Sequence, residues 1–514
     1  MSARTDAPAA GRTTCTDVLI VGTGFSGLGM AIQLRKAGRH DFVVVEKAHD
    51  VGGTWRDNTY PGCACDIPSH MYSFSFHQNP DWARSYSPQP EIYAYLRRVA
   101  DDYDLRRSIR FGVEVESARW DAAAQRWTVT AVSGEVYSSR VLVNGIGALH
   151  IPHIPELAGA ADFTGPAFHS AQWRHDIDLT GKRVAVVGTG ASAIQFIPEI
   201  AQQAAEVRVF QRTAPWVLPK PDRAISERTR TAFRRVPGLQ RAYRDLLYWA
   251  LESRAVAFNG HPRVLQVAEK MMRRYVERTV SDPATRELLI PDYRLGCKRV
   301  LTSNDYLKLF EEPHVSLHGN GVRSLTRHGV VGGDGVEHQV DVVIWGTGFH
   351  VTDSFSQLHI TGREGRDLAR TFERDGIETY LGMNVAGFPN LVFLLGPNTG
   401  LAHNSVVFMI EQQVKYVLRL LDEAEGRGAA VFEVTRTAQD RFNQVVQSKL
   451  ARGIWSTGGC TSWYLDSSAR NRSIWPGFTW RYWLQTLRVD ADAYRWEAAC
   501  TKPSGALPLE PAHT

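Results

Sequence analysis

Apolar residues along this chain follow the patterns of strands and of helices. One order of these elements, a strand, a glycine turn, a helix and a second strand, occurs twice. Near the N-terminus, VLIVG is a β-branched run typical of a buried strand, and the glycine turn GTGFSG follows it. LGMAIQLRKAG then spaces its apolar residues as a helix does, and DFVVVEK indicates a second strand. From Lys182 to Arg212 the order of strand, glycine turn, helix and strand is repeated. The pattern therefore predicts two βαβ units with parallel strands.

Helical spacing dominates a longer stretch after the second unit. It runs from Ala214 to about Asp292, and prolines divide it into short helices. Further helices are predicted from Glu91 to Asp104 and from Glu411 to Ala424, and a strand with a terminal glycine turn from Asp341 to Phe349. Together these patterns predict an α/β protein with two Rossmann-like dinucleotide-binding domains, each discontinuous in sequence, and a helical insertion in the second.

The first glycine turn has the full context of a dinucleotide-binding motif. Gly22, Gly24 and Gly27 allow a tight turn, close approach of the backbone to a pyrophosphate, and close packing of helix on strand. Glu46 lies 19 positions after Gly27, where a carboxylate can bond both ribose hydroxyls. Because a second such turn follows in the chain, we expect FAD at this first one.

The second glycine turn predicts a different dinucleotide. Gly188, Gly190 and Ala193 give GxGxxA, and the residue 19 positions further on is Arg212 rather than a carboxylate. A carboxylate there would repel a 2′-phosphate, whereas a guanidinium can bind it through two hydrogen bonds. We therefore expect NADPH at this turn, the alternative being an arginine that is merely solvated.

Composition and charge set limits on the remaining possibilities. The net charge of +5 is small for 514 residues and does not indicate nucleic acid as a partner. No run of about 18 apolar residues occurs, so no membrane association is expected. Residues 1–16 have no apolar segment and are expected to form a loose tail rather than a signal peptide. A cytoplasmic protein is predicted, and its oligomeric state cannot be inferred from the sequence.

The six cysteines have no metal-ligand spacing, and no metal is expected. Their scatter favours a reducing compartment over a disulfide framework. Cys63 and Cys65 form CxC, which lacks the spacer of dithiol reductases, so we expect inert thiols rather than a redox pair.

The stretch FTGPAFHSAQW just before the second unit has the form FxGxxxHxxxW. It resembles the signature of the flavin-dependent type I Baeyer–Villiger monooxygenases, although Arg174 stands where Pro or Asp usually follows. In that family the stretch acts on domain movement, a role that the resemblance gives to Phe163, Gly165, His169 and Trp173. A histidine that is merely packed at a hinge is the alternative for His169.

Further motifs of that family occur along most of the chain. They are GGTW and YPG within residues 52–62, the KR pair at 298–299 with Val300 where Pro is common, and the segment Cys460–Trp483, which resembles the family's mobile active-site loop and contains Trp463. The resemblance implies FAD contacts from Gly22, Gly24, Ser26, Gly27, Glu46, Thr54, Trp55, Asp66, Tyr72, Val115 and Asn398. It implies NADP contacts from Ala64, Cys65, Asp66, Gly188, Thr189, Gly190, Ser192, Ala193, Arg212, Lys298 and Trp463. Trp463 and its aromatic neighbours could alternatively be core.

The resemblance also implies the reaction, in which a ketone, NADPH and molecular oxygen give an ester or lactone through a flavin-peroxide intermediate. Arg299, oriented by Asp66, is then the expected catalytic pair. A guanidinium keeps its proton at working pH, so it can stabilise negative charge without quenching it. The alternatives are a flavin monooxygenase that oxygenates sulfur or nitrogen and, more remotely, a non-catalytic NADPH-binding sensor.

The resemblance and the element pattern together divide the chain. We predict a tail at 1–16, FAD-domain residues at 17–147, a linker and the first NADP-domain segment at 148–217, and the helical insertion at 218–292. The NADP domain resumes at 293–345 and the FAD domain at 346–498, with a mobile loop near 460–475 and a final tail at 499–514.

Overall fold

The computed structural model describes residues 13–258, 262–351, 358–466 and 468–500. The strands are β1 Thr14–Val21, β2 Phe42–Glu46, β3 Ile109–Phe111, β4 Val115–Asp121, β5 Arg126–Ala131, β6 Val136–Asn144, β7 Ala167–His169, β8 Arg183–Val187, β9 Glu206–Phe210, β10 Val217–Leu218, β11 Leu301–Thr302, β12 Val315–His318, β13 Val322–Thr326, β14 Gly329–Gly332, β15 Glu337–Gln339, β16 Val342–Trp345, β17 His359–Thr361, β18 Leu391–Phe393, β19 Ala429–Val434 and β20 Tyr494–Ala498. The helices are α1 Phe25–Lys36, α2 Thr54–Asp57, α3 Gln89–Asp102, α4 Ala193–Ile200, α5 Glu227–Arg235, α6 Leu239–Glu252, α7 Ala255–Phe258, α8 Pro262–Thr279, α9 Pro283–Leu289, α10 Leu368–Asp375, α11 Val406–Gly426, α12 Arg436–Leu450, α13 Ile454–Thr457 and α14 Thr479–Thr486.

The first glycine turn belongs to a large mixed sheet. Its strands lie in the order β17-β4-β5-β6-β1-β2-β3, and β18 also pairs with β6. The central strand β1 runs parallel to both neighbours, with Val18 opposite Phe42 on one side and Val141 on the other. Leu19 and Ile20 are fully buried because helices and other segments cover both faces of this strand. The strand β18 joins the sheet from a distant part of the chain, so this domain is discontinuous in sequence.

The second glycine turn belongs to a sheet in which all strands are parallel. Its order is β12-β9-β8-β16-β7, with β8, which leads into the turn, at the centre. The strands β12 and β16 come after the helices α5 to α9, so the chain leaves this domain for a helical insertion and then returns. Parallel sheets covered by helices are the architecture of Rossmann-like domains, and the predicted fold class is confirmed.

The FxGxxxHxxxW stretch is part of this second sheet. Ala167–His169 is its edge strand β7, in parallel register with β16, so these residues are paired rather than lying in an unpaired linker. Gly165 is required just before the strand because a Cβ there would lie 2.4 Å from the Asp341 carbonyl oxygen and 2.8 Å from the Phe163 ring.

Some predicted boundaries differ from the structure. The strand β1 begins at Thr14, inside the predicted tail 1–16, because its residues pair with Tyr137 to Ser139 of β6. The helix predicted at Glu411–Ala424 begins earlier, at Val406, where the Ser405 hydroxyl accepts a hydrogen bond from the Val407 amide. Most of the two predicted tails lies outside the described residues, at 1–12 and 501–514, as does residue 467 of the predicted mobile loop.

The expectation of no disulfide is wrong. Cys297 and Cys460 form one, with Cα atoms 6.1 Å apart. The two residues are separated by 163 positions, so only tertiary packing brings them together and their spacing carries no signal. The cytoplasmic location stays a prediction. Within the described ranges, no helix is both long and apolar enough to cross a bilayer.

Candidate active site

The first glycine turn is shaped as its motif requires. Gly22 has φ +97°, and a Cβ there would lie 2.9 Å from the Gly145 carbonyl oxygen. At Gly27 a Cβ would lie 1.8 Å from the Gly22 carbonyl oxygen, so helix α1 approaches the strand as closely as backbone allows. Gly24 differs, because a Cβ there would meet only the Gly53 Cα, at 4.0 Å. Open backbone at the N-terminal end of α1 fits the pyrophosphate of FAD.

The carboxylate of Glu46 lies at the end of β2, only 5% exposed. One oxygen accepts hydrogen bonds from the Thr23 amide at 3.0 Å and the Thr23 hydroxyl at 2.6 Å. The other accepts from the Ala48 amide at 3.0 Å and lies 3.0 Å from the Arg56 guanidinium. The carboxylate therefore fixes the glycine turn to the next segment of the chain, and its predicted bond to a ribose would share these oxygens.

The second turn has the same geometry, and here the carbonyl oxygen near its glycines belongs to Gly346. Gly188 has φ +105°, and a Cβ there would lie 2.5 Å from the Gly346 carbonyl oxygen, while Gly190 faces only that oxygen, at 3.8 Å. Ala193 is fully buried at the start of α4, and Thr189 is 7% exposed. The open backbone again fits a pyrophosphate.

Two cations lie together beyond the second turn. Arg212 is exposed, and in the described part of the chain its side chain has no hydrogen bond or salt bridge. Burial and the charge of Arg212 lower the pKa of Lys298, so the two groups interact although 86 positions separate them. The Lys298 ammonium also lies 4.9 Å from the centre of the Tyr293 ring. Two interacting cations fit the 2′-phosphate of NADPH, although the Asp292 carboxylate also acts on Lys298.

The segment after the first turn places aromatic side chains beside it. The Trp55 indole donates a hydrogen bond to the Tyr72 hydroxyl at 3.2 Å, and both α1 residue Phe25 and Trp55 pack edgewise on the Tyr72 ring. Burial raises the pKa of Tyr72, so its hydroxyl keeps its proton. Thr54 is exposed next to Gly53, which faces Gly24 across the turn. These placements fit the predicted contacts to FAD.

The same segment joins the two nucleotide-binding domains. The Gln195 side chain on α4 accepts a hydrogen bond from the Tyr60 hydroxyl at 3.0 Å and donates one to the Ala64 carbonyl at 2.9 Å. Tyr60 also packs edgewise on Phe196. Ala64 is thereby bonded to the helix that follows the second turn. Gln195 was not predicted from the sequence, because an amide on a helix has no motif that marks it as a bridge.

The neighbouring cysteines are buried thiols. Burial raises the pKa of Cys63 to about 11, and burial and Asp66 raise that of Cys65 further. Both therefore hold their protons at neutral pH, which fits inert residues and not a dithiol redox pair.

Asp66 and Arg299 form an ion pair that brings two distant segments together. The Arg299 side chain donates two hydrogen bonds to one Asp66 oxygen, at 3.0 and 2.5 Å, across 233 positions of sequence. The charge of Asp66 raises the pKa of Arg299 further above its usual range. The Arg299 side chain is 36% exposed, and its Nη1 makes no hydrogen bond to another described residue. The predicted catalytic pair is thus assembled in the structure.

His169 and Trp173 are packed residues of the second domain. His169 is fully buried, and its Nδ1 accepts a hydrogen bond from the Ala171 amide at 3.1 Å. Burial lowers its pKa to about 4, so the ring is neutral at working pH. Trp173 packs on Phe168 and Phe196, each with ring centres 5.3 Å apart. Their role in domain movement stays a prediction, and the geometry gives neither of them an acid or base function.

Three other predicted residues support the first domain. Asn398 is 3% exposed with φ +57°, and its amide group donates to the carbonyls of Asn471 and Ile474. Val115 is buried at the start of β4, and Ser26 is buried in the first turn of α1. The Asn398 side chain and its backbone amide, which donates to the Arg472 carbonyl at 2.8 Å, therefore hold the C-terminal segment in place.

Trp463 and Tyr464 occupy opposite environments on the predicted mobile loop. Trp463 is 45% exposed, whereas Tyr464 is 1% exposed and its ring centre lies 4.4 Å from that of Trp463. Tyr464 interacts electrostatically with both Arg299 and Asp66. The disulfide between Cys297 and Cys460 ties this loop to the segment that carries Arg299. Tyr464 was not predicted, because aromatic residues are dense here and sequence does not show which of them is buried near the ion pair.

Known proteins resemble this chain in sequence and structure. A family model described as pyridine nucleotide-disulphide oxidoreductase matches residues 19–243. A Pseudomonas aeruginosa protein named Baeyer-Villiger monooxygenase is 47% identical over 494 residues, which cover 96% of this chain and 93% of that protein. The closed crystal structure of cyclohexanone monooxygenase aligns with a TM-score of 0.86 at 28% identity, covering 95% of this chain and 100% of that one. A structure of OTEMO in complex with FAD and NADP aligns with a TM-score of 0.85 at 26% identity, covering 94% and 100%.

Proposed function

Since the chain belongs to the Baeyer–Villiger monooxygenases, we propose that Arg299, held by Asp66, is the group that stabilises negative charge at its reacting centre. The enzyme is a flavoprotein that uses FAD, NADPH and molecular oxygen to convert a ketone into an ester or lactone. The observation that supports the assignment of Arg299 is its ion pair with Asp66, which holds a permanent cation on the segment that Gln195 bonds to the second domain.

The residues around each turn hold the cofactors. FAD would lie on the open backbone at Gly24, beside Trp55 and Tyr72, and NADPH on the open backbone at Gly190 with its 2′-phosphate between Arg212 and Lys298. The Gln195 side chain bonds the segment after the first turn to helix α4, which follows the second turn. Bound FAD, once reduced by NADPH, supplies the activation of oxygen.

The chain's own contribution is charge and orientation. Arg299 cannot lose its proton at working pH, so it lowers the energy of an adjacent anion without protonating it. When the ketone is attacked, negative charge develops on its carbonyl oxygen, and Nη1 of Arg299, which bonds no other described residue, can donate to that oxygen. Asp66 fixes the guanidinium in place, because two hydrogen bonds to one oxygen restrict its rotation.

The substrate class within ketones is the finer part of the proposal. Linear, cyclic and aryl ketones are all candidates, and they are best separated by product analysis. Purified enzyme is incubated with NADPH, isotopically heavy oxygen and a mixed panel of ketones that includes one thioether. One heavy oxygen atom in an ester or lactone is the expected result, whereas sulfoxide as the sole product would favour a heteroatom oxygenase.

A variant pair tests the role of Arg299. Arg299→Ala should lower the yield of ester by about a hundredfold to a thousandfold, since it removes the donor that bonds the developing oxyanion. Arg183→Ala is a matched control, because Arg183 also forms a paired salt bridge, with Asp341, but lies at the start of β8. Normal ester yield from Arg299→Ala would contradict the proposal.

A further inference from the structure

The Cys297–Cys460 disulfide joins a loop to the segment that carries two cations of the site. Cys297 comes directly before Lys298 and Arg299 in the chain, and Cys460 begins the loop 460–472. The Cα atoms of the two cysteines are 6.1 Å apart. The bond therefore sets how far the start of this loop can move from the segment of the two cations.

The two ends of the loop 460–472 are held in different ways. At its far end, the buried Arg472 side chain pairs with Asp466 at 2.8 Å and with Glu378 at 3.0 Å. At its near end, a backbone hydrogen bond from the Arg294 amide to the Gly458 carbonyl, at 3.0 Å, and apolar packing around both cysteines accompany the disulfide. The far end is thus fixed by ion pairs, whereas the near end depends on the disulfide.

The two cysteines of the bond differ in exposure. Cys297 is 0% exposed, whereas Cys460 is half-buried and its neighbours Gly459 and Thr461 are exposed. A thiolate in solution therefore has access to the bond from the side of Cys460. Disulfides that are in contact with solvent exchange more readily than enclosed ones, and those of cytoplasmic proteins are usually transient and redox-sensing.

We propose that this disulfide is a site of thiol–disulfide exchange with a dithiol, and that its reduction weakens the binding of NADPH. This inference rests on the proposed placement of NADPH beside Lys298. One thiolate of the dithiol attacks the Cys460 sulfur, the disulfide breaks, and the Cys297 sulfur leaves and takes a proton. The second thiol then attacks the mixed disulfide and releases Cys460. Two electrons and two protons pass to the cysteines, and the dithiol becomes a cyclic disulfide.

Reduction releases the near end of the loop from the segment of Lys298. This end carries Trp463, which is 45% exposed and is a predicted NADP contact. Without the covalent bond, the near end is held in place only by one backbone hydrogen bond and by packing. If it then occupies its place for about a tenth to a third of the time, the apparent dissociation constant of NADP⁺ rises by about threefold to tenfold.

The first measurement counts the thiols of the folded enzyme with bound FAD. The enzyme is incubated with or without dithiothreitol, the excess reductant is removed, and the thiols are blocked with iodoacetamide in denaturant before the mass is recorded. Four blocked cysteines are expected without dithiothreitol and six with it. Peptide mapping should assign the two additional blocked thiols to Cys297 and Cys460.

The second measurement is the dissociation constant of NADP⁺ for the same samples, by isothermal titration calorimetry. Reduced enzyme should bind NADP⁺ about threefold to tenfold more weakly than oxidised enzyme. Cys297→Ser and Cys460→Ser should each match the reduced enzyme, with or without dithiothreitol. Cys15→Ser is the matched control, since it removes an exposed thiol outside the disulfide and should respond to dithiothreitol as the unsubstituted enzyme does. Flavin content and thermal unfolding check that every sample is folded.

Three outcomes would overturn the inference. Six thiols before dithiothreitol would mean that the bond does not form in the purified enzyme. Four thiols after it would mean that the bond is closed to a dithiol. Six thiols after it with an unchanged dissociation constant for NADP⁺ would leave the disulfide a role in stability alone. Absence of ester from the oxidised enzyme with every ketone, together with the expected change in NADP⁺ binding, would count against the proposed function and not against this inference.

Discussion

The two dinucleotide-binding turns share a backbone and differ in the charge at the end of the second strand. At the first turn, the Glu46 carboxylate is buried and bonded by Thr23, Ala48 and Arg56. At the second, Arg212 is exposed and, in the described chain, has no partner. Glu46 thus stabilises the fold through its contacts, whereas Arg212 is available only to a ligand. We infer that the first turn couples cofactor binding to stability and that the second sets cofactor choice with little effect on stability.

The largest difference between the two turns is expected from substitutions at the third position of each glycine motif, which is Gly27 in the first turn and Ala193 in the second. Gly27→Ala should prevent the first domain from folding around FAD, because its Cβ would lie 1.8 Å from the Gly22 carbonyl oxygen. The reverse change in the second turn, Ala193→Gly, should cost only about 1 kcal/mol. Flavin content per protein and the yield of folded protein measure both. Full flavin content in Gly27→Ala would mean that the helix can shift away from the strand.

The next largest difference is expected in the free energy of unfolding when the charge at the end of the second strand of each unit is removed. Glu46→Gln should lower the free energy of unfolding by about 3 kcal/mol, because an amide cannot accept from all four of its present donors. Arg212→Gln should change it by less than about 0.5 kcal/mol, since the side chain is exposed. Denaturant midpoints at saturating FAD report both values. Equal destabilisation would contradict the contrast drawn between the two charges.

Cofactor choice should respond only to the second turn. Arg212→Ala is expected to weaken NADPH by about tenfold to a hundredfold, the value of a lost charged hydrogen bond, and to leave NADH almost unchanged. Lys298→Ala should act in the same direction, since its ammonium interacts with Arg212. The ratio of KM values for NADPH and NADH is the measurement. Equal effects on both cofactors would place the phosphate elsewhere.

The smallest expected effect compares the threonines of the two GTG sequences. Thr23→Val removes a 2.6 Å hydrogen bond to Glu46 and should cost about 1–2 kcal/mol. The Thr189 hydroxyl makes no hydrogen bond to another described residue, so Thr189→Val should be within about 0.5 kcal/mol of the unsubstituted enzyme. Unfolding in denaturant again distinguishes them, and a larger loss at Thr189 would reverse the comparison.

Local features of the molecule were predictable from sequence, and contacts between distant segments were not. The glycine turns and the helical insertion follow from apolar period and glycine spacing, and both occur as expected. The pairing of Asp66 with Arg299 was expected only through family resemblance. The Gln195 bridge, the buried setting of Tyr464 and the Cys297–Cys460 bond depend on packing between parts of the chain that no local pattern relates. The predicted domain boundaries and most site roles stay predictions.

The disulfide also acts on the chain when it is unfolded. It closes a ring spanning 163 positions, which includes the return of the chain to the first sheet through β17 and β18. In the chain-entropy account, a ring of this length lowers the entropy of the denatured ensemble by an amount equivalent to about 5 kcal/mol. A reductant would thus enlarge the set of unfolded conformations and lower the free energy of unfolding. The stability of this enzyme therefore depends partly on the conformational entropy of its unfolded chain, and not only on contacts in the folded state.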